Sequence, residues 1–177
     1  MFNFNKEATF RHWEMYNVPD MTFTNYNPHS KVTKKNNPLL LQTDDDDTYI
    51  MFITGQYETY YEIGHLGKIT RVNFADKLSV FTTYLSWAAL PENERATQAE
   101  IINKRPEFVK AEMQVAVSPV DNKTPVLIDL FNHNNVLAKA MNGTELLIFT
   151  VRDVERLMFI AQTWKAKQLT LKNPYKS

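Results

Sequence analysis

The chain contains no cysteine. Thiol nucleophiles, cysteine–zinc sites and disulfide bonds are therefore excluded. Glycine is scarce, with four residues, and the sequence has neither a glycine-rich phosphate-binding pattern nor the short motifs of serine hydrolases and zinc proteases. These absences exclude the enzyme classes that carry a recognisable motif, so we favour a non-enzymatic protein and expect no cofactor.

Net charge is also absent, because 20 lysines and arginines balance 20 aspartates and glutamates. A protein that binds duplex DNA by neutralising its phosphates usually carries an excess of basic residues, so the composition argues against that function. Zero net charge also leaves little repulsion between copies of the chain, and self-association is unopposed. Asparagine is frequent, a bias typical of AT-rich coding sequences, and it hints at a phage or mobile-element source.

Long hydrophobic runs are missing as well. The longest, such as Leu146–Phe149, are far too short to cross a bilayer. The first residues lack the basic-then-apolar order of a signal peptide. We therefore expect a cytoplasmic protein, or one inside a particle assembled in the cytoplasm, that makes no contact with a membrane.

Segments typical of β-strands recur after residue 47. They are Tyr49–Thr54, Tyr57–Ile63, Lys68–Val72, Val109–Val117, Val126–Phe131 and Glu145–Thr150. The first three predict an antiparallel meander, and the next two predict a hairpin. Val136–Met141 suits either a strand before the Asn142-Gly143 turn or a helix that this pair ends, and we favour the hairpin.

Three helices are predicted in the same region. Apolar residues at helical spacing indicate a helix over Phe74–Leu90, capped by Asn73 and with Phe81 in the core. A more polar helix covers 92–104, and a last helix starts at Thr150 with a capping box to Asp153. The expected fold is a single α+β domain over 48–177, in which antiparallel hairpins pack on about three helices.

Residues 1–47 differ in composition and predict an extended N-terminal arm that packs on the domain or reaches away from it. Residues 5–17 suit a short helix, whereas Pro19–Pro38 suits extended or turn structure. Asp44–Asp47 is interpreted as a solvated loop. The candidate partner-binding residues of the arm are aromatic or basic: Trp13, Tyr16, Phe23, Tyr26, Arg11, Lys31, Lys34 and Lys35.

Aromatic and basic side chains on one arm suit two kinds of partner. Aromatic anchors bury a large area in contacts with another protein or with a second copy of the chain. The same groups bind single-stranded nucleic acid, where bases stack on rings and phosphates pair with lysines. We favour protein contacts, because a neutral chain has no overall attraction to phosphate.

Asp129 and His133 form a candidate metal site or acid–base pair, with an acid such as Asp153 nearby. Asp129 stands in an apolar run, and the simpler interpretation is that it faces water. Glu58, Glu62 and His65 have spacings of four and three that suit metal ligands on one face of a helix, but the surrounding segment favours a strand, where Glu62 and His65 point to opposite faces.

The sequence thus predicts a non-enzymatic binding or assembly protein that contacts a protein partner or forms a homo-oligomer. Two other functions remain open. One is binding of single-stranded nucleic acid, and the other is metal-dependent hydrolysis at Asp129 and His133.

Overall fold

The computed structural model describes residues 5–9, 13–56, 59–130 and 145–167. Within these ranges the strands are β1 (Asn5–Thr9), β2 (Trp13–Tyr26), β3 (Thr33–Asp44), β4 (Tyr49–Gln56), β5 (Thr59–Glu62), β6 (Ile69–Thr70), β7 (Met113–Val117), β8 (Pro125–Asp129) and β9 (Leu146–Phe149). The helices are α1 (Phe74–Lys77), α2 (Ser79–Ala88), α3 (Glu92–Asn103), α4 (Pro106–Ala111) and α5 (Val151–Lys165). The predicted α+β class is confirmed. None of these helices is both long and apolar enough to cross a bilayer.

The strands form one antiparallel sheet in the order β5-β4-β3-β2-β9-β8-β7, with β1 beside β2 and β6 beside β4. The hairpin of β2 and β3 lies at its centre and places Trp13 opposite Asp44. The far end of β2 pairs with β9, where Thr24 lies opposite Ile148. β2 therefore joins the N-terminal strands to the C-terminal strands.

The separate arm predicted for residues 1–47 is not confirmed, because its described residues form β1, β2 and β3 within the sheet. The short helix predicted over 5–17 is wrong wherever that segment is described, since those residues are strand residues. The extended structure predicted for Pro19–Pro38 agrees with the two long strands. A register shift around Val18–Met21 lets β2 continue past Pro19 as a bulged strand.

The main core lies between the sheet and the helices. Phe23 meets Phe149 edge-on with ring centres 4.8 Å apart, and Phe52 of the sheet lies 6.2 Å from Phe81 of α2. Phe81 is completely buried, as predicted. Alternate strand positions point to the other side of the sheet, where Leu40 belongs to a second, smaller buried cluster.

The single helix predicted over Phe74–Leu90 is broken at Leu78 into α1 and α2. Asn73 does not cap it. Its side-chain oxygen accepts a hydrogen bond from the Thr70 amide at 2.8 Å, and its side-chain nitrogen donates to the Lys68 carbonyl at 3.1 Å. Asparagine side chains often bond to nearby backbone in this way, so Asn73 holds the turn before the helix.

The strand predicted over Val109–Val117 is correct for its second part, Met113–Val117, and wrong for its first part. Pro106 suits the first turn of a helix, and α4 continues to Ala111 before Glu112 adopts a left-handed conformation. The strand begins only at Met113. The predicted hairpin with β8 is confirmed.

The turn of this hairpin is organised by Asp121. Its carboxylate accepts hydrogen bonds from Thr124 and from the backbone amide of Lys123, and these bonds lower the pKa of Asp121 to about 2.

The predicted meander is correct for its first two strands but wrong for its third. β5 and β6 both pair with β4 and not with each other. The reason is a 3₁₀ turn at Ile63–His65, which leaves the sheet directly after β5. Val136–Met141 lies outside the described residues, so the choice between helix and strand stays open there.

The two longest helices are held in different ways. α5 buries six side chains and begins with the predicted capping box, in which Thr150 and Asp153 bond to each other's backbone amides. α3, all of it described, buries a single side chain, Ile102. The Asn103 side chain accepts from the Val115 amide at 2.8 Å and donates to the Val115 carbonyl at 3.0 Å, so this end of α3 is fixed to strand β7.

Candidate functional site

The aromatic residues proposed as anchors are buried in the chain's own sheet. Tyr16, Phe23 and Tyr26 are at most 8% exposed. Burial, together with a hydrogen bond from the Tyr16 hydroxyl to the Glu14 carboxylate, raises the pKa of Tyr16. Trp13 lies at the start of β2, and Arg11 is outside the described residues. The three buried rings therefore contribute to the core and offer no open surface to a partner.

The basic residues of the same segment lie elsewhere. Lys31, Lys34 and Lys35 are exposed at the tip of the hairpin between β2 and β3, where Lys31 has a left-handed backbone conformation. The sequence from Met21 to Thr43 contains no aspartate or glutamate, although Glu145 lines the same small cavity as Lys34. The lysines are thus exposed whereas Tyr16, Phe23 and Tyr26 are buried, so these three rings offer no stacking surface beside the lysines.

Asp129 and His133 are not brought together by the described part of the chain, since His133 lies outside it. Asp129 is buried, and its carboxylate accepts a hydrogen bond from the Gly64 amide at 2.9 Å. The interpretation that Asp129 faces water is therefore wrong, because the side chain fixes the 3₁₀ turn. Among the described residues, no three histidine, aspartate or glutamate side chains gather into a group that could bind a metal.

The 3₁₀ turn positions a histidine–glutamate pair that the sequence analysis missed. His65 Nε2 lies 3.3 Å from Glu112 Oε1, and both residues have left-handed backbone conformations. A Cβ at Gly64 would overlap the end of the Met113 side chain, and the left-handed backbone conformation of Gly64 favours glycine there. Since His65 and Glu112 are far apart in the sequence, no local sequence pattern predicts that they form a pair.

The acidic run Asp44–Asp47 is only partly the solvated loop that was predicted. Partial burial alone would raise the pKa of Asp44, but hydrogen bonds from Thr48 to its carboxylate outweigh that effect and lower the pKa. Asp47 instead links distant parts of the chain.

The indole of Trp164 donates to the Asp47 carboxylate at 3.0 Å, and the Arg71 guanidinium stacks 4.1 Å above the Trp164 ring. Arg71 also donates to the backbone carbonyl of Asp47 at 2.9 Å. Asp47 therefore has a structural role at the end of α5.

The side of α3 next to α2 is an open surface of the described residues. Spacings of four, three and four residues place Glu94, Gln98, Ile101 and Arg105 on one stripe of the helix, with Arg105 just beyond its end. Ile101 is 54% exposed in the middle of this stripe. A groove of about 480 Å³ lies between α3 and α2, and Glu94, Gln98 and Arg105 of the stripe line it together with Trp87. The α3 stripe, meaning these four residues, therefore combines an exposed apolar side chain with opposite charges at its two ends.

Comparison with protein-family models, with curated proteins and with solved structures finds no match to this chain. The roles of the α3 stripe, the lysine tip and the histidine–glutamate pair are therefore argued from their geometry.

Proposed function

We propose that this chain is a non-enzymatic assembly protein, and that two copies join through the α3 stripe. The observation that carries the proposal is the order in which charged and apolar side chains follow each other along the stripe. Glu94 stands at one end and Arg105 at the other, with the exposed Ile101 between them. An exposed isoleucine is ordinary on its own, and the flanking opposite charges are what distinguish this one.

The stripe is self-complementary when two copies pack antiparallel about a two-fold axis. Glu94 of each copy then faces Arg105 of the other, and Ile101 faces Gln98. The midpoint between Glu94 and Arg105 is also the midpoint between Gln98 and Ile101. A single two-fold axis through that point therefore brings both pairs into contact. The charges that meet are of opposite sign, and the neutral chain adds no repulsion between copies.

The way α3 is held in the domain supports this use. A polar helix of 12 residues is marginal by itself, and α3 contributes one buried side chain to the core. Bonds from its neighbours fix it instead, including one from the Trp87 indole to the Arg95 carbonyl at 2.9 Å. The helix is therefore anchored along its inner side, and its outer side is open.

The expected contact is small. A helix of 12 residues is about 18 Å long, and two such helices bury less than a standard interface. We therefore expect a dimer that dissociates on dilution, with a dissociation constant on the order of micromolar.

A charge-swap cycle tests the proposal by sedimentation velocity over a range of concentrations. The variants Glu94→Arg and Arg105→Glu should each be monomeric, because like charges then meet at both ends of the contact. The double variant should form the dimer again, because the swapped charges are once more complementary. The matched control is the double swap of Glu100 and Lys104, an exposed ion pair on another side of α3, which should leave the dimer unchanged.

Two results would contradict the proposal. A wild-type chain that stays monomeric at about 0.5 mM, well above the micromolar range, would remove the dimer itself. A dimer that survives both single swaps would place the contact on another surface.

A second candidate function, binding of single-stranded nucleic acid, rests on the lysine tip alone. Lys31, Lys34 and Lys35 are exposed in a segment without acidic residues. Fluorescence anisotropy with a labelled oligothymidylate at low and moderate salt tests it, and the double variant Lys34→Glu/Lys35→Glu should lose the binding. Retention of binding by that variant would contradict this candidate. The metal-dependent hydrolase at Asp129 and His133 stays a prediction.

A further inference from the structure

A cleft of about 220 Å³ opens beside the histidine–glutamate pair, away from the α3 stripe. Three separate parts of the chain form it. The 3₁₀ turn contributes His65, α1 contributes Lys77, and α4 contributes Lys110. These basic side chains are distant in the sequence, so only the fold brings them to one concave surface.

The two lysines of the cleft are available to an anion. No carboxylate of the described residues forms an ion pair with Lys77 or Lys110. Ammonium groups that converge on a concave surface attract a negatively charged ligand more strongly than the same groups on a convex surface. A phosphomonoester suits two lysines particularly well, because it carries between one and two negative charges at neutral pH.

The imidazole of His65 is positioned at the cleft by backbone bonds on both sides of the pair. Gly64 donates to the Asp129 carboxylate at 2.9 Å, and Leu130 donates to the Glu112 carbonyl at 2.8 Å. His65 and Glu112 are held in left-handed conformations that residues other than glycine rarely adopt. At Glu112 this conformation ends α4, as left-handed residues commonly do at the ends of helices.

The cleft also has two carboxylates, those of Asp76 and Glu107. They balance the formal charge of Lys77 and Lys110 and would repel a bare anion. Carboxylates accept hydrogen bonds from hydroxyl groups, so they suit a ligand that carries hydroxyls as well as a phosphate. We propose that this cleft binds a small phosphorylated polyol or sugar, with the phosphate on Lys77, Lys110 and His65 and the hydroxyls on Asp76 and Glu107.

Isothermal titration calorimetry on the full chain tests the proposal at constant ionic strength. The probes are glycerol 3-phosphate, ribose 5-phosphate, inorganic phosphate and glycerol. Either phosphorylated polyol should bind, inorganic phosphate should bind more weakly, and glycerol should not bind. No heat with either phosphorylated polyol up to about 10 mM, where a millimolar site would be nearly saturated, would overturn the proposal.

Variants then locate the site. Lys77→Met and Lys110→Met should each weaken binding roughly tenfold or more, since each removes a charged hydrogen-bond donor. The control is Lys104→Met, whose ammonium lies 3.6 Å from Glu100 on α3 and outside the cleft. Equal binding by all three variants would overturn the assignment of the site. Equal affinity for inorganic phosphate and glycerol 3-phosphate would overturn the role of Asp76 and Glu107.

Amide NMR spectra give a readout that does not depend on substitutions. Addition of glycerol 3-phosphate should shift amide signals around the 3₁₀ turn, α1 and α4. Shifts confined to the hairpin tip around Lys34 would contradict the proposal and place the anion there.

Discussion

Helices α5 and α3 have similar lengths, 15 and 12 residues, but the protein holds them by different means. α5 buries six side chains against the sheet, whereas α3 buries Ile102 alone. α3 depends in addition on hydrogen bonds between side chains and backbone, at Arg95 and Val115. A helix held by burial offers its apolar stripe to the core, while a helix held by polar bonds keeps an outer face for other contacts.

The largest effect on stability is expected from removing the buried side chain of Trp164 at the end of α5. Trp164 is completely buried, donates to Asp47 and lies under the Arg71 guanidinium. Trp164→Ala should therefore reduce the free energy of unfolding by about 3–5 kcal/mol, measured by urea denaturation. Gln162→Ala, at an exposed position of the same helix, should change it by less than about 0.5 kcal/mol. A loss below about 1 kcal/mol at Trp164 would show that burial does not hold α5.

A smaller effect is expected at the single buried residue of α3. Ile102→Ala should cost about 2–4 kcal/mol through lost burial and a cavity. Its neighbour Ile101 provides the matched control, since it is the same residue type in an exposed position. Ile101→Ala should change the free energy of unfolding by less than about 0.5 kcal/mol at concentrations where the chain is monomeric. Equal losses at the two positions would mean that the faces of α3 are assigned incorrectly.

The smallest of the three effects concerns a polar anchor. Asn103→Ala removes two hydrogen bonds to Val115 and should cost about 1–2 kcal/mol. The Val115 amide should also exchange its hydrogen faster, because it loses its acceptor. Asn93→Ala on the exposed side of α3 is the control. Unchanged protection of the Val115 amide in Asn103→Ala would show that the side chain does not fix α3 to β7.

Sequence patterns predicted the features whose partners lie close together in the chain. The capping box joins Thr150 and Asp153, and the turn of the predicted hairpin joins Asp121 and Thr124, which are also three positions apart. Propensity and spacing describe such features completely. Phe81 was also placed correctly in the core, because a helical stripe identifies its buried face from one segment.

Patterns failed where distant partners decide the structure. β2 and β3 contain Pro19 and Pro38, and the sequence predicted extended or turn structure there without placing the segment inside the sheet. A bulge accommodates the first, and neighbouring strands on both sides keep β2 extended. At α4 the alternation of Val109 and Ala111 matched the strand pattern by chance, although Pro106 marks a helix start.

The candidate sites also differ in whether their residues are close together or distant in the sequence. The spacing of the α3 stripe was readable from the sequence once the helix over 92–104 was predicted, but nothing in the sequence says that Ile101 is exposed and Ile102 buried. The cleft could not be predicted from the sequence, because His65 and Lys110 come together only through the packing of a turn on a helix. Tyr16, Phe23 and Tyr26 of the N-terminal segment are buried in the core, and composition does not distinguish an interface anchor from a core residue.

The pairing of β2 with β9 has a consequence for how the chain is made. Thr24 leaves the ribosome long before its partner Ile148, by about ten seconds at ordinary rates of translation. During that interval the central hairpin has one edge without its native neighbour, and non-native strands can pair with it. Folding of the sheet must therefore wait for the last strand, and contacts of such high sequence separation make it slow. Chaperone demand in the cell should thus fall on the nascent chain at its N-terminal hairpin.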